Sequence, residues 1–208
     1  MFDVLEKRSA RLSLPAQMTR RNPNDPSAIA SEFRSHVVIL GGLVGLMWFI
    51  QIADSVLPGT ASIYGIIPRT SIGVRGIFFS PFLHGNYQHL ISNTIPFIML
   101  GWFVMLRSVK EFFAVSAIVL LTSGIGVWLF GSPGIHIGAS GVIFGYFGFL
   151  LSRAYFERSA LSIALSLAVG LLYGSLIWGV LPNQLHISWE GHLFGFLGGI
   201  WAAKWLSR

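Results

Sequence analysis

The sequence predicts an all-α membrane protein, a bundle of six transmembrane helices with both termini in the cytoplasm. Three observations predict it. Of the 208 residues only 11% are charged, while 53% are hydrophobic and the mean hydropathy is +0.68. A soluble domain carries about a quarter charged residues, so lipid must be the outer solvent here. Six apolar runs follow one another, and the Lys and Arg collect on one side of them.

Residues 1–35 are polar, mixed in charge and interrupted by Pro15, Pro23 and Pro26, and read as a cytoplasmic tail. Residues 36–208 form the membrane domain. No signal peptide is read, because the first apolar run begins near Val37, too far in and too long. The runs are Val37–Leu57, Tyr87–Leu106, Phe112–Phe130, Gly138–Ser152, Leu161–Leu181 and Gly191–Trp205. Several approach the roughly 20 residues that a span requires. The fourth and sixth, at 15 residues each, are short. Between the first two lies Pro58–Asn86, apolar but broken by Gly and Pro, as in Ile63–Pro68 and Ile77–Leu83. It reads as a loop with short helices dipping into the interface.

The basic residues fix the orientation. Lys7, Arg8, Arg11, Arg20, Arg21 and Arg34 precede the first run. Arg107, Lys110, Arg153, Arg158, Lys204 and Arg208 fall in the second and fourth connections and at the C-terminus. That is twelve on one side, against Arg69 and Arg75 on the other. Positive residues stay inside, which puts both termini in the cytoplasm. The net charge of +6 therefore reports topology and attraction to anionic headgroups, and nucleic acid is not an expected partner.

Polar residues inside a bilayer are costly and mark function by default. The second, fourth and sixth helices each end inside near a basic residue, Arg107, Arg153 and Lys204. At about 1.5 Å per residue, Asn93 lies about 21 Å above its marker, Ser140 about 20 Å and His192 about 18 Å. His89 stands one turn above Asn93 on the same face. Glycines at four-residue spacing, Gly141 and Gly145 in one helix and Gly191, Gly195 and Gly199 in the other, let two backbones approach. Taken singly, each polar residue has an ordinary structural use. Together at one depth they describe a site.

That site suits acyl transfer. A serine hydroxyl needs a base, and histidine titrates near the working pH. Ser140 and His192 make a dyad. No acid lies at their depth, since Asp54 and Glu190 sit at outer helix ends, so no triad is read. The Asn93 amide, the His89 ring and the early N–H groups of the Ser140 helix can hold an oxyanion. The charge-free loop Gly131–Ile137 is expected to descend into the protein before that helix starts, leaving room for water.

These residues resemble the rhomboid intramembrane proteases. Gly138-Ala139-Ser140-Gly141 is similar to the family's GxSG motif, His89 to Asn93 to its HxxxN motif, and Gly191-His192 through Gly199 to its sixth-helix motif. Pro81 to Gly85 looks like the approach to the second helix, and the likeness runs from about Val37 to Trp205. The resemblance implies Ser140 as nucleophile, His192 as general base and acid, and Asn93, His89 and the Ser140 backbone as the oxyanion hole. Gly138, Gly141, Phe144 and Gly195 would support the dyad. It implies single-span membrane proteins as substrates, cut near the outer end of the span. It also implies a mobile gate of the fifth helix with Asn183–Trp189. Two departures stand out. Phe144 replaces the Tyr many members carry, and Arg75-Gly76 stands where a Trp-Arg pair is common.

Two other readings compete. An inactive rhomboid-like protein that binds membrane clients would normally lack the Ser or the His. A transporter could use His89, His136 and His192 as a proton path, but no inverted repeat is visible. With no Cys and no HExxH, neither metal nor cofactor is expected. His36, His84, His136 and His186 read as structural or interfacial. Asp3 and Glu6 argue against a transit peptide, which points to a bacterial inner membrane with the active site toward its outer side. The oligomeric state stays open.

Overall fold

The computed structural model describes residues 26–57, 60–182 and 187–207. The chain divides into two units, Met1–Ser35 and His36–Arg208. Most of the expected tail, and the gate residues Asn183 to His186, lie outside the described residues.

Six long helices carry the described chain: α1 (Pro26–Val56), α2 (Tyr87–Met105), α3 (Val109–Phe130), α4 (Ser140–Glu157), α5 (Ala160–Tyr173) and α6 (Trp189–Leu206). No strand forms among the described residues, apart from one isolated bridge between Ile66 and His136. Three helical stretches are long and apolar enough to cross a membrane: Ile29–Val56, Val109–Phe130 and Ala160–Val180. The other three, α2, α4 and α6, have 19, 18 and 18 residues. These carry the glycines and polar residues that dilute hydropathy.

α1 already covers Pro26 to Ser35, ahead of the apolar run read from near Val37. A hydropathy run marks where a helix meets lipid, and the helix itself extends into the polar flank. Side-chain caps set other starts. Asn86 Oδ1 accepts from the His89 N–H at 2.8 Å, and Ser108 Oγ from the Glu111 N–H at 3.0 Å. Ser159 and Ser162 form a capping box. The run predicted over Leu161–Leu181 is α-helical only to Tyr173, and Gly174–Val180 continues as a tighter 3₁₀ helix.

α4 is the central helix. Ten of its 18 residues are buried, from Val142 to Arg153. It meets α6 backbone to backbone. A Cβ on Gly195 would overlap the Gly141 carbonyl, and one on Gly199 would lie 2.7 Å from the Phe149 nitrogen. The core between α1, α2, α3 and α4 is apolar and aromatic, with Met47, Leu100, Phe112 and Phe147 all buried. Tyr146 is buried there too, its hydroxyl paired with Ser116 Oγ at 2.7 Å.

The α1–α2 connection holds short helices at Ala61–Tyr64, Ile72–Arg75, Gly76–Phe79 and Ser80–Phe82. Its anchors answer the missing Trp-Arg pair. Arg75 lies 4.5 Å over the Tyr64 ring and donates to the Ile63 carbonyl at 3.0 Å. Arg69 donates to the Leu129 and Gly131 carbonyls at 3.3 and 2.9 Å, closing the end of α3. Trp128 Nε1 donates to the Thr70 carbonyl at 2.8 Å. At the opposite end of the bundle Arg107, Glu111, Arg153 and Glu157 form an ion cluster tying α4 to the α2–α3 corner.

Candidate active site

The loop before α4 is held from two sides. Ile66 and His136 exchange both backbone hydrogen bonds at 2.9 Å, and the Gly138 N–H donates to the Ser80 carbonyl at 2.8 Å. Gly138 has φ +116°, a conformation side chains rarely adopt. It also faces α2 at close range. A Cβ on it would lie 2.7 and 2.8 Å from His89 Cε1 and Nε2, and 3.4 Å from Asn93 Nδ2. The predicted oxyanion donors of α2 therefore gather at the residue two before Ser140.

Ser140 is the first residue of α4. Its N-cap is Ala139, whose methyl group cannot accept from the first N–H groups. The Val142 N–H turns back to the Ala139 carbonyl at 3.0 Å, which leaves the Ser140 and Gly141 N–H groups to face an anion at the positive end of the helix. Asn93 is buried, and its Nδ2 has no hydrogen-bond partner. A buried amide left unpaired costs about 1–3 kcal/mol, which a substrate carbonyl or oxyanion would recover. Ser140 also lines a cavity of about 30 Å³ with Ser80, Ser123, Gly138, Gly141 and Gly191.

His192 is 7% exposed and stacks on Phe144 with ring centroids 4.0 Å apart and planes 5° apart. Phe144 lies one turn after Ser140, so the ring rests on the Ser140 face of α4. His192 Nδ1 is 2.9 Å from the Gly179 carbonyl. A carbonyl only accepts, so Nδ1 carries the hydrogen and Nε2 keeps its lone pair. That is the tautomer a general base requires. Among the described residues no hydrogen bond joins Ser140 Oγ to His192. Ser123 Oγ donates to the Gly191 carbonyl at 2.9 Å, binding α3 to the turn that carries His192.

The remaining polar residues have local work. Glu190, 2% exposed, accepts from Ser132 N and Oγ at 2.8 and 2.6 Å. His136 pairs with Ser188 Oγ at 2.7 Å and the Ser132 carbonyl at 2.9 Å. Asp54 accepts from the Ala61 N–H at 2.8 Å, and His36 packs edge-on against Trp102. His186 lies outside the described residues. His84 is buried with both ring nitrogens unpartnered, 5.1 Å from the His89 ring. Burial, and then the charge His89 would carry, push it down to about 4.

Sequence reasoning missed Gly179, Ser123 and Arg69. Gly179 acts through a main-chain atom, which no residue type announces. Ser123 is one of three hydroxyl residues in its apolar run, with Ser116 and Thr122, and a serine there most often bonds its own helix. Arg69 enters the sequence reading only through topology, and its rarity as one of two basic residues on that side is the signal that it holds something there.

A family model, the Rhomboid domain, matches residues 73–208. An uncharacterized protein of Mycobacterium tuberculosis is 37% identical over 173 residues, covering 79% of this chain and 72% of its own length. An uncharacterized protein of Mycobacterium leprae is 32% identical over 208 residues, covering 96% and 82%. RHOMBOID-like protein 1 of Arabidopsis thaliana is 30% identical over 134 residues, covering 59% and 32%.

Proposed function

The chain belongs to the rhomboid family, and from that premise we propose that it is an intramembrane serine endopeptidase working through a Ser140–His192 dyad. Its substrates are single-span membrane proteins, cut in or near the span. The observation that carries this reading is the state of His192, stacked on Phe144 one turn from Ser140 with its Nδ1 hydrogen engaged.

Ser140 Oγ attacks the scissile carbonyl carbon and passes its proton to His192 Nε2. Catalytic hydrogen bonds are often long before substrate arrives, and seating of the peptide brings Oγ and Nε2 into reach. The oxyanion takes hydrogen bonds from the Asn93 amide, the His89 ring and the Ser140 N–H. Each such donor is worth about 10²–10³ in rate. The C–N bond then breaks and the leaving amine takes the proton from His192. Water attacks the acyl-serine with His192 again as base, freeing the acid and restoring Ser140.

The wider reading follows the same support. Six spans, cytoplasmic termini and an outward-facing site agree with twelve basic residues against two. The mycobacterial relatives support a bacterial inner membrane. Lipid is the surrounding solvent.

The test is cleavage of single-span reporters by purified protein in liposomes, comparing wild type with Ser140→Ala and His192→Ala. Cleavage by wild type alone is expected. Equal cleavage by all three would place the chemistry elsewhere. Several uncut reporters, with no fluorophosphonate labelling of Ser140, would favour an inactive membrane-protein binder.

A further inference from the structure

A histidine base needs something to hold its second nitrogen. In serine proteases with a triad that group is a buried carboxylate, which keeps the ring in one tautomer. Among the described residues no carboxylate hydrogen-bonds the His192 ring, and the buried Glu190 two residues before it is engaged by Ser132 N and Oγ. A main-chain carbonyl is neutral and needs no counter-charge. The Gly179 carbonyl is 2.9 Å from His192 Nδ1.

The approach is close on a second side as well. A Cβ on Gly179 would lie 2.6 Å from Phe144 Cζ and 3.4 Å from His192 Nδ1. The backbone at Gly179 thus covers both rings of the stacked pair, and only glycine leaves the space for it. Gly179 sits near the end of the 3₁₀ segment Gly174–Val180 that prolongs α5. None of the residues of that segment is buried, and only Ser162 and Val169 are buried in α5. The group that holds the base therefore belongs to the least embedded helix of the bundle.

We propose that the Gly179 carbonyl is the positioning group of the catalytic base, fixing His192 as the Nδ1–H tautomer and making its readiness depend on where the end of α5 lies. The inference rests on the protease reading. During attack the Ser140 proton moves to His192 Nε2, and the resulting imidazolium keeps its Nδ1–H on Gly179. When α5 carries Gly179 away, the ring loses its acceptor and its tautomers mix. Part of the population then presents an N–H to Ser140 and cannot take its proton.

The test is nitrogen NMR of the full chain in nanodiscs with labelled histidine, assigned by loss of the His192 signal in His192→Gln. At neutral pH the wild-type ring is expected as Nδ1–H. A ring found as Nε2–H, or as an even mixture, overturns the proposal. Gly179→Ala is expected to mix the tautomers and to slow fluorophosphonate labelling of Ser140 by about tenfold or more. Labelling at the wild-type rate overturns it. If Gly179→Ala does not fold, the wild-type spectrum still decides. Wild type that cuts no reporter defeats the protease reading, while the tautomer measurement reports separately.

Discussion

His84 carries the clearest pH dependence outside the spans. Its folded value is about 4 against an ordinary 6.5. Between those values the unfolded chain binds a proton that the folded one refuses. Stability is therefore full above pH 6.5 and falls as the pH drops toward 4, by a few kcal/mol at most at about 1.4 kcal/mol per unit. His84→Phe should flatten that slope in thermal unfolding measured in detergent between pH 7 and 4. An unchanged slope would mean another group titrates. At this scale the candidate site was largely legible in the sequence. Ser140, His192, Asn93 and His89 are polar residues in apolar runs, and a bilayer makes such residues conspicuous. Gly179 was not legible, because its contribution is a carbonyl common to every residue. Phe144 was noticed for its missing hydroxyl. Its stacked ring on His192 accounts for why an aromatic stands there.

Between helices, glycine spacing gave the partner correctly where hydropathy gave only the extent. Gly141, Gly195 and Gly199 lie at the α4–α6 contact. A Cβ at Gly195 would come within 3.0 Å of the Gly141 carbonyl carbon and 3.4 Å of its Cα. Gly195→Ala should force the helices apart at the turn after His192, lowering stability by about 1–3 kcal/mol. Under the proposed function cleavage should fall further than stability, because the same movement shifts His192 relative to Ser140. Equal loss of both, from unfolding titrations beside cleavage rates, would show that the contact serves stability alone. Element ends were the poorly legible part. The extension of α1 into the polar flank and the 3₁₀ end of α5 are local backbone features, which an average over apolar residues does not register.

At the scale of the whole molecule, the ion pairs among the described residues gather at one end. Arg153 is 6% exposed and is held by Glu111 and Glu157, with Arg107 completing the cluster. Arg153→Met removes the buried cation and leaves Glu111 and Glu157 to the half-exposed Arg107 alone, a change worth about 3–5 kcal/mol. Lys110→Met, at an exposed position, should stay within about 0.5 kcal/mol. Melting temperatures of the two variants in one detergent check this, and equal shifts would remove the cluster from the stability argument. The sequence could assign these residues to one side of the membrane, because topology depends on their number. It could not pair them, because pairing depends on how three helices pack. The thin attachment of α5 has one further consequence. In the apolar stretch Ala160–Val180 only 11% is buried within the protein, against 39% in Val109–Phe130. A helix so little covered by protein leaves most of its surface to lipid in a bilayer, and under the proposed function bilayer thickness and fluidity become tuning variables, felt at His192 through one peptide group.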